Sequence, residues 1–220
     1  MTLVDVLLPR RIDPATLNPA AVFAVYRTAV DDMERAEPSA DDAKLLAQSW
    51  KIFDNEAARR NSIDTRAGAI MPAISLAATL VTGVGFTVLK DVTLPVDARW
   101  AILATYLVAL VYLVRTMLLL FVIHGRIFRY TPDPSDLPTP AARVVDPAEA
   151  SRYDRGLACK IMRYTIENYV INNVQTDALV VAQRTFRNAI IAIAIGGTIA
   201  GTMIFLHSMV PPVELKNWNE

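Results

Sequence analysis

Side chains that could carry out chemistry are few in this 220-residue chain. The two histidines, His124 and His207, lie near the ends of two different apolar stretches, so they cannot form a zinc-binding cluster. The single cysteine, Cys159, has no second cysteine for a disulfide or a redox pair. The glycines close to residue 200 lie within an apolar stretch, unlike those of a phosphate-binding loop. We therefore expect no catalytic residue, no metal and no cofactor, and predict that the protein is not an enzyme.

Three side-chain amides share one helical stripe. Asn168, Asn172 and Gln175 are spaced at i, i+4 and i+7, which places them on the same side of an α-helix. Because an amide both donates and accepts hydrogen bonds, this stripe could contact a nucleotide-like signalling ligand or the helix of a partner protein. The alternative is that the amides are solvated or pair with other helices of the same chain.

Arg115 is the one arginine or lysine within a long apolar stretch. It lies ~12 Å along a helix from Ile123, at ~1.5 Å per residue. If the stretch crosses a membrane, an arginine at this depth costs about 2.5–3.5 kcal/mol, and the apolar stretches hold no carboxylate to offset it. Tyr112, one turn earlier, could accept one hydrogen bond. We predict that Arg115 and Tyr112 face a pore or an intersubunit cavity; the alternative is that Arg115 snorkels to the membrane surface.

Three apolar stretches position these residues. They cover 67–89, 100–123 and 189–210. About 20 helical residues cross a hydrocarbon core of roughly 30 Å, so each stretch is long enough to span a bilayer. Apolar residues make up 53% of the chain and charged residues 20%, which favours the same interpretation. We predict an all-α integral membrane protein with three transmembrane helices and the lipid bilayer as a partner.

Basic residues beside these stretches indicate the orientation. Those on the predicted inner side are Lys51, Arg59, Arg60, Arg66, Arg126, Arg129, Arg184 and Arg187. The loop between the first two stretches offers Lys90 and Arg99, and the C-terminal tail offers Lys216. The positive-inside rule then predicts a cytoplasmic N-terminus and an external C-terminus. The balance of 22 basic and 22 acidic residues argues against nucleic-acid binding.

Helix signals divide the chain into segments. Asn18-Pro19, Ser39 with Asp42, and Asp146-Pro147 are predicted helix starts. Four prolines between residues 130 and 140 exclude a helix there. We predict an N-terminal cytoplasmic segment with one short amphipathic helix (1–38), a cytoplasmic helix that continues into a two-span hairpin (39–129), a proline-rich linker (130–145), a cytoplasmic helix that continues into the third span (146–210) and an external tail (211–220).

Two patterns predict helix packing. The first is a coiled-coil-like seam with spacings of three and four, formed by Ala43, Leu46, Trp50, Phe53 and Ala57. The seam could pack on the protein's own central helix or on another subunit. The second is the small-xxx-small pair Gly197 and Gly201, which lets helices approach closely within or between subunits. We expect the chain to form a homo-oligomer.

The segments that lead into the first and third spans resemble those of a known family. Residues 56–70, with the acid-x-basic-Ala-Gly pattern Asp64-Thr65-Arg66-Ala67-Gly68, and residues 166–189 carry the resemblance. Together with the two-span hairpin they resemble the membrane effector modules of bacterial antiphage systems of the Pycsar and SLATT type. The resemblance implies oligomerisation and disruption of the bacterial inner membrane. Pycsar effectors usually add a cyclic-nucleotide-binding domain, whereas residues 1–38 precede the first long helix here, so the signal would reach the helices directly or through a partner protein.

These observations support two functions. The leading hypothesis is an oligomeric inner-membrane effector that disrupts or permeabilises the membrane on activation, in antiphage defence. The alternative is a non-catalytic structural or accessory subunit of a larger membrane protein complex.

Overall fold

The computed structural model describes residues 19–90, 94–125, 130–132 and 147–209, which form four α-helices and no strand. Helix α1 extends over Pro19–Arg35, α2 over Asp42–Lys90, α3 over Val96–His124 and α4 over Pro147–Met209. The last three are long and apolar enough to cross a membrane. The prediction of an all-helical chain with three helices able to span a bilayer is therefore confirmed. The predicted external tail and most of the proline-rich linker lie outside the described residues.

Local sequence determines where the helices begin. Helix α1 begins at Pro19 and α4 at Pro147, where a missing N–H costs no helical hydrogen bond. At the start of α2, the backbone N–H of Ser39 donates to the Asp42 carboxylate at 2.9 Å, and the N–H of Asp41 donates to Ser39 Oγ at 3.4 Å. Donors ahead of α2 are thus satisfied by nearby side chains, as the capping-box pattern predicts.

One compact unit contains the apolar parts of the three long helices, with residues 69–90, 94–120 and 181–209. Its interior holds small and branched side chains such as Ala109, Ile102 and Ala189. Large apolar side chains also point outward, and Leu76, Leu107 and Leu118 are each at least 60% exposed. Exposed apolar surface of this extent is costly in water and favourable in lipid, which supports a membrane environment for this unit.

Several threonine hydroxyls in this unit are satisfied within their own helix. Thr79 donates to the backbone oxygen of Ser75, Thr116 to that of Tyr112, and Thr198 to that of Ala194, at 2.8–2.9 Å. Each bond lies within one helix, one turn toward its N-terminus. Because each hydroxyl donates its hydrogen bond to a backbone oxygen of the same helix, these threonines are compatible with hydrocarbon.

The second compact unit contains α1, the beginning of α2, the end of α3 and the beginning of α4, within residues 19–68, 121–125, 130–132 and 147–180. Its core joins Leu46 to Leu157, Ala158 and Ile161 of α4, with Trp50 and Phe53 packed against it. The central residues of the predicted seam therefore pack on a helix of the same chain, while Ala43 and Ala57 are exposed. Of the two alternatives for the seam, the described structure shows packing within the chain.

Candidate functional site

A buried ion pair joins the starts of α2 and α4. Arg155 donates from Nε and Nη2 to Asp42 Oδ1 at 3.0 and 2.8 Å, and Ser151 Oγ donates to Asp42 Oδ2 at 2.7 Å. Both charged side chains are buried. Burial alone would raise the pKa of Asp42. The hydrogen bonds from Arg155, Ser39 and Ser151 and the charge of Arg155 outweigh this effect and lower the pKa from 3.8 to about 2. The pair is therefore ionised and fixes the relative position of the two helix starts.

The three amides of the predicted stripe bind other parts of the same unit. Asn168 donates to the backbone oxygen of Tyr130 at 2.9 Å and accepts from its N–H at 3.2 Å. Asn172 donates to the Glu56 carboxylate at 2.9 Å, and Gln175 donates to the backbone oxygen of Ile123 at 2.8 Å. The stripe thus ties α4 to α2, to the end of α3 and to residues 130–132. Contact of these amides with a ligand or a partner stays a prediction.

A small pocket lies beside two of these amides. It has a volume of about 140 Å³, and its polar lining includes Glu56, Arg60, Asn168 and Asn172. Phe53 and Ile171 supply apolar walls. The pocket has room for a few water molecules or a small polar group, at the position where the sequence predicts a ligand contact.

Helix α1 is held on α4 mainly at its polar edge. Arg163 pairs with Asp31 at 2.7 Å and with Glu34 at 2.5 Å, and Arg27 pairs with Glu167. These groups are at least one-third exposed, so each pair contributes little, about 0–1 kcal/mol. The apolar contact is small, since Phe23 and Val30 are the buried apolar residues of the part of α1 whose side chains are described. Helix α1 therefore does not close completely over its neighbours.

The incomplete closure leaves an apolar groove of about 480 Å³ between α1, α2 and α4. Its walls are formed by Phe23, Tyr26, Ala29, Val30, Met33, Ile52, Met162, Thr165, Ile166 and Tyr169, with Glu56 as the one charged residue that lines it. The sequence predicts that α1 is amphipathic, but it does not single out Glu56, because a carboxylate exposed to solvent and one beside a groove look alike in a sequence.

In the first compact unit, called the apolar unit, α3 and α4 approach closely at Gly196 and not at the predicted pair of glycines. A Cβ atom on Gly196 would lie 2.7 Å from Cε1 of Tyr106 and 3.2 Å from Oγ1 of Thr105, both on α3. Gly197 and Gly201 are exposed, and a Cβ atom on either would meet no atom within 4 Å. Packing within the described chain therefore uses Gly196, and the predicted pair lies on an outward face of α4.

The predicted pore residues lie in the same unit. Arg115 and Tyr112 are both half-buried on α3. Tyr112 borders an open groove of about 440 Å³ between α3 and α4, together with Thr105, Val108, Asn188 and Ile195. The groove combines apolar walls with the tyrosine, threonine and asparagine side chains. A role of Arg115 and Tyr112 in a pore or an intersubunit cavity stays a prediction.

The described part of the chain has no cluster of metal ligands, and its free cysteine is buried. No group of three or more His, Cys, Asp or Glu side chains there could hold a metal ion. Burial raises the pKa of the Cys159 thiol, and nearby carboxylates add to this shift, whereas Arg163 and Arg155 oppose it, so the thiol is a poor nucleophile. Comparison with known proteins finds no matching family model, no matching curated protein and no matching solved structure.

Proposed function

We propose that the protein is an oligomeric, non-catalytic effector of the bacterial inner membrane that permeabilises the membrane on activation, in antiphage defence. The observation that carries the proposal is the outward face of α4 at Gly197 and Gly201, in a helix that is apolar enough to span a bilayer. Two glycines one turn apart leave the backbone of α4 open to close approach by another helix. No described atom of the same chain lies within 4 Å of a Cβ added at either glycine, so the space is open to lipid or to another helix, and we propose a helix of a second copy as the occupant.

Long helices support transmission of a signal. Helix α2 has 49 residues and α4 has 63, and each includes residues of both compact units. Helix α4 has no proline after its first residue, so a displacement of its polar part can move its apolar part, whereas α2 contains Pro72, which lacks a backbone N–H and permits a bend there. We propose that an activating ligand or partner protein acts on the second compact unit, called the polar unit below, and that α4 carries the change into the spans.

The proposed orientation places the N-terminus in the cytoplasm and the C-terminus outside. Arg66 precedes the first span on α2, and Arg184 and Arg187 precede the third on α4; all three side chains are exposed. Exposed arginines at these positions suit the cytoplasmic face and its anionic lipids. The polar unit, with its ion pairs and amide hydrogen bonds, would then be cytoplasmic.

Expression in a bacterium tests the function. We expect the parent protein, when activated or overexpressed, to depolarise the inner membrane, measured with a potential-sensitive dye, and to run as an oligomer in native nanodiscs. Replacing both Gly197 and Gly201 by isoleucine should give smaller particles and abolish depolarisation. Gly83→Ile is the matched control, because Gly83 is also exposed, with no atom within 4 Å of an added Cβ, but lies on α2.

Two results would contradict the proposal. A strictly monomeric particle at high concentration would remove the basis for assembly. A parent protein that never depolarises the membrane and co-purifies with a fixed set of other membrane proteins would show an accessory subunit instead.

A further inference from the structure

We infer that the groove between α1, α2 and α4 binds a lipophilic organic cation, a quaternary ammonium or phosphonium centre with apolar substituents. This inference goes beyond the proposed membrane function and does not depend on it. The groove volume of about 480 Å³ lies in the range of small-molecule sites in proteins. Its walls are almost entirely apolar, so they favour a ligand with a large apolar surface.

Aromatic rings in the groove favour a positive charge. Phe23, Tyr26 and Tyr169 all line it, and Phe23 and Tyr169 are in edge-to-face contact with ring centroids 6.0 Å apart. The faces of such rings attract cations, and the Arg59 guanidinium already lies 5.2 Å from the Tyr169 centroid. Tyr26 and Tyr169 are 55% and 40% exposed, so a ligand can still reach both side chains.

The Glu56 carboxylate decides the sign of the ligand's charge. One of its oxygens accepts a hydrogen bond from Asn172 at 2.9 Å, and the other lies 3.6 Å from Arg59, which donates in turn to Asn173 at 2.6 Å. The carboxylate is thereby held in place with its side chain only 15% exposed. Arg59, at 3.6 Å, is too far to hydrogen-bond this carboxylate, so a ligand cation can still add a Coulomb attraction there, for which a quaternary ammonium or phosphonium needs no hydrogen-bond donor.

Other ligand classes fit less well. A neutral apolar molecule, such as a lipid acyl chain, would remove the remaining water from Glu56 and offer no charge in return. An anionic amphiphile would place like charges together. A cation with apolar substituents contacts the apolar walls, lies against the aromatic rings and places a positive charge near the Glu56 carboxylate. Of the classes compared, it is the one that suits the walls, the rings and the carboxylate together.

Two ions of the same shape and opposite charge test the inference. Tetraphenylphosphonium and tetraphenylborate would be titrated calorimetrically into the full chain in nanodiscs, with empty nanodiscs as the lipid background. We expect saturable binding of the phosphonium and none of the borate above background. Glu56→Gln, which keeps an acceptor for Asn172, and Tyr26→Ala should each weaken phosphonium binding at least tenfold. Asp54→Asn removes the same charge at an exposed position of α2 and should leave binding unchanged.

Several outcomes would overturn the inference. They are the absence of saturable phosphonium binding, equal binding of the borate, and equal effects of Glu56→Gln and Asp54→Asn. If the groove is instead filled by a second copy of the chain, Tyr26→Ala would change the particle size and no cation would bind. Thermal unfolding of each variant establishes that lost binding does not come from lost folding.

Discussion

At the scale of single residues, the buried pair of Asp42 and Arg155 has the largest expected effect on folding. Removing one partner of a buried ion pair leaves the other charge uncompensated, which costs roughly 3–5 kcal/mol. An exposed pair is worth much less, and Asp41 provides one next to the buried pair, since it lies 2.8 Å from Lys44 with both side chains more than three-quarters exposed. Two adjacent aspartates at the start of one helix thus differ in their surroundings.

Asp42→Asn should therefore lower the free energy of unfolding of the polar unit by roughly 3 kcal/mol or more. Asp41→Asn should change it by less than about 1 kcal/mol. Thermal unfolding followed by circular dichroism in detergent gives the comparison. Equal midpoints for the two variants would show that the Arg155 contact contributes little.

The same carboxyl group predicts a pH dependence. Its pKa is about 2 in the folded protein against an ordinary value of 3.8, so the folded state binds its proton less readily than the unfolded state. The stabilisation is complete above about pH 4 and is lost as the pH falls through about 2. The stability difference between the parent and Asp42→Asn should shrink across this window, because protonation removes the same charge as the substitution. A constant difference from pH 5 to pH 2 would contradict the assignment.

Arg115 is the residue on which a conducting state would depend. Arg115→Leu should insert and fold at least as well as the parent, because it removes a cost of about 2.5–3.5 kcal/mol on insertion scales. If Arg115 faces a pore or an intersubunit cavity that favours anions, the leucine variant should lose ion leakage. Conductance and anion preference in planar bilayers measure this, and full activity with unchanged selectivity would show that the arginine does not face the conducting path.

At the scale of helices, the contact between α3 and α4 depends on one glycine. A Cβ atom on Gly196 would lie 2.7 Å from the ring of Tyr106, which is buried and has little room to move. Gly196→Ala should therefore separate the helices locally and destabilise the protein by about 1–3 kcal/mol. Gly197→Ala meets no atom and gains helix propensity, so it should be neutral or stabilising by up to about 1 kcal/mol.

Thermal unfolding in detergent compares the two alanine variants, which differ by one position in the same helix. Opposite signs are expected, and equal midpoints would show that α3 and α4 do not pack at Gly196. Because Gly197 faces outward, its alanine variant also changes the surface proposed for self-association, so particle size should be measured alongside stability.

The sequence was informative about helices and less so about contacts between them. Apolar length and cap residues such as Pro19 and Asp42 predicted the helices, because both depend on neighbours within a few residues. The partners of Asp42 and Glu56 were not predicted, because Arg155 and Asn172 are more than 100 residues away along the chain. The sequence cannot distinguish the three glycines of α4 either, because they are equally small. The rotation of α4 about its own axis decides that Gly196 packs against α3 and that Gly197 and Gly201 do not.

At the scale of the whole molecule, charges are distributed unevenly along the helices. The buried ion pair of Asp42 and Arg155 and the amide hydrogen bonds belong to one compact unit, and the outward-facing leucines belong to the other. A chain that separates polar and apolar surface in this way is suited to a bilayer whose faces differ. In membrane proteins generally, basic loops tend to stay on the cytoplasmic side during insertion, and the proposed orientation of this chain rests on that tendency.

The proposed orientation predicts which positions a membrane-impermeant thiol reagent reaches in intact cells. Cys159 is fully buried, and Cys159→Ser gives a background without reactive thiols. In this background, Asn217→Cys should be labelled in intact cells, since three crossings from a cytoplasmic N-terminus place the C-terminus outside. Pro140→Cys, in the segment between the second and third spans, should be labelled only after the membrane is permeabilised. Labelling of position 140 in intact cells would reverse the topology and would put the polar unit, with its groove and amide stripe, outside the cytoplasm.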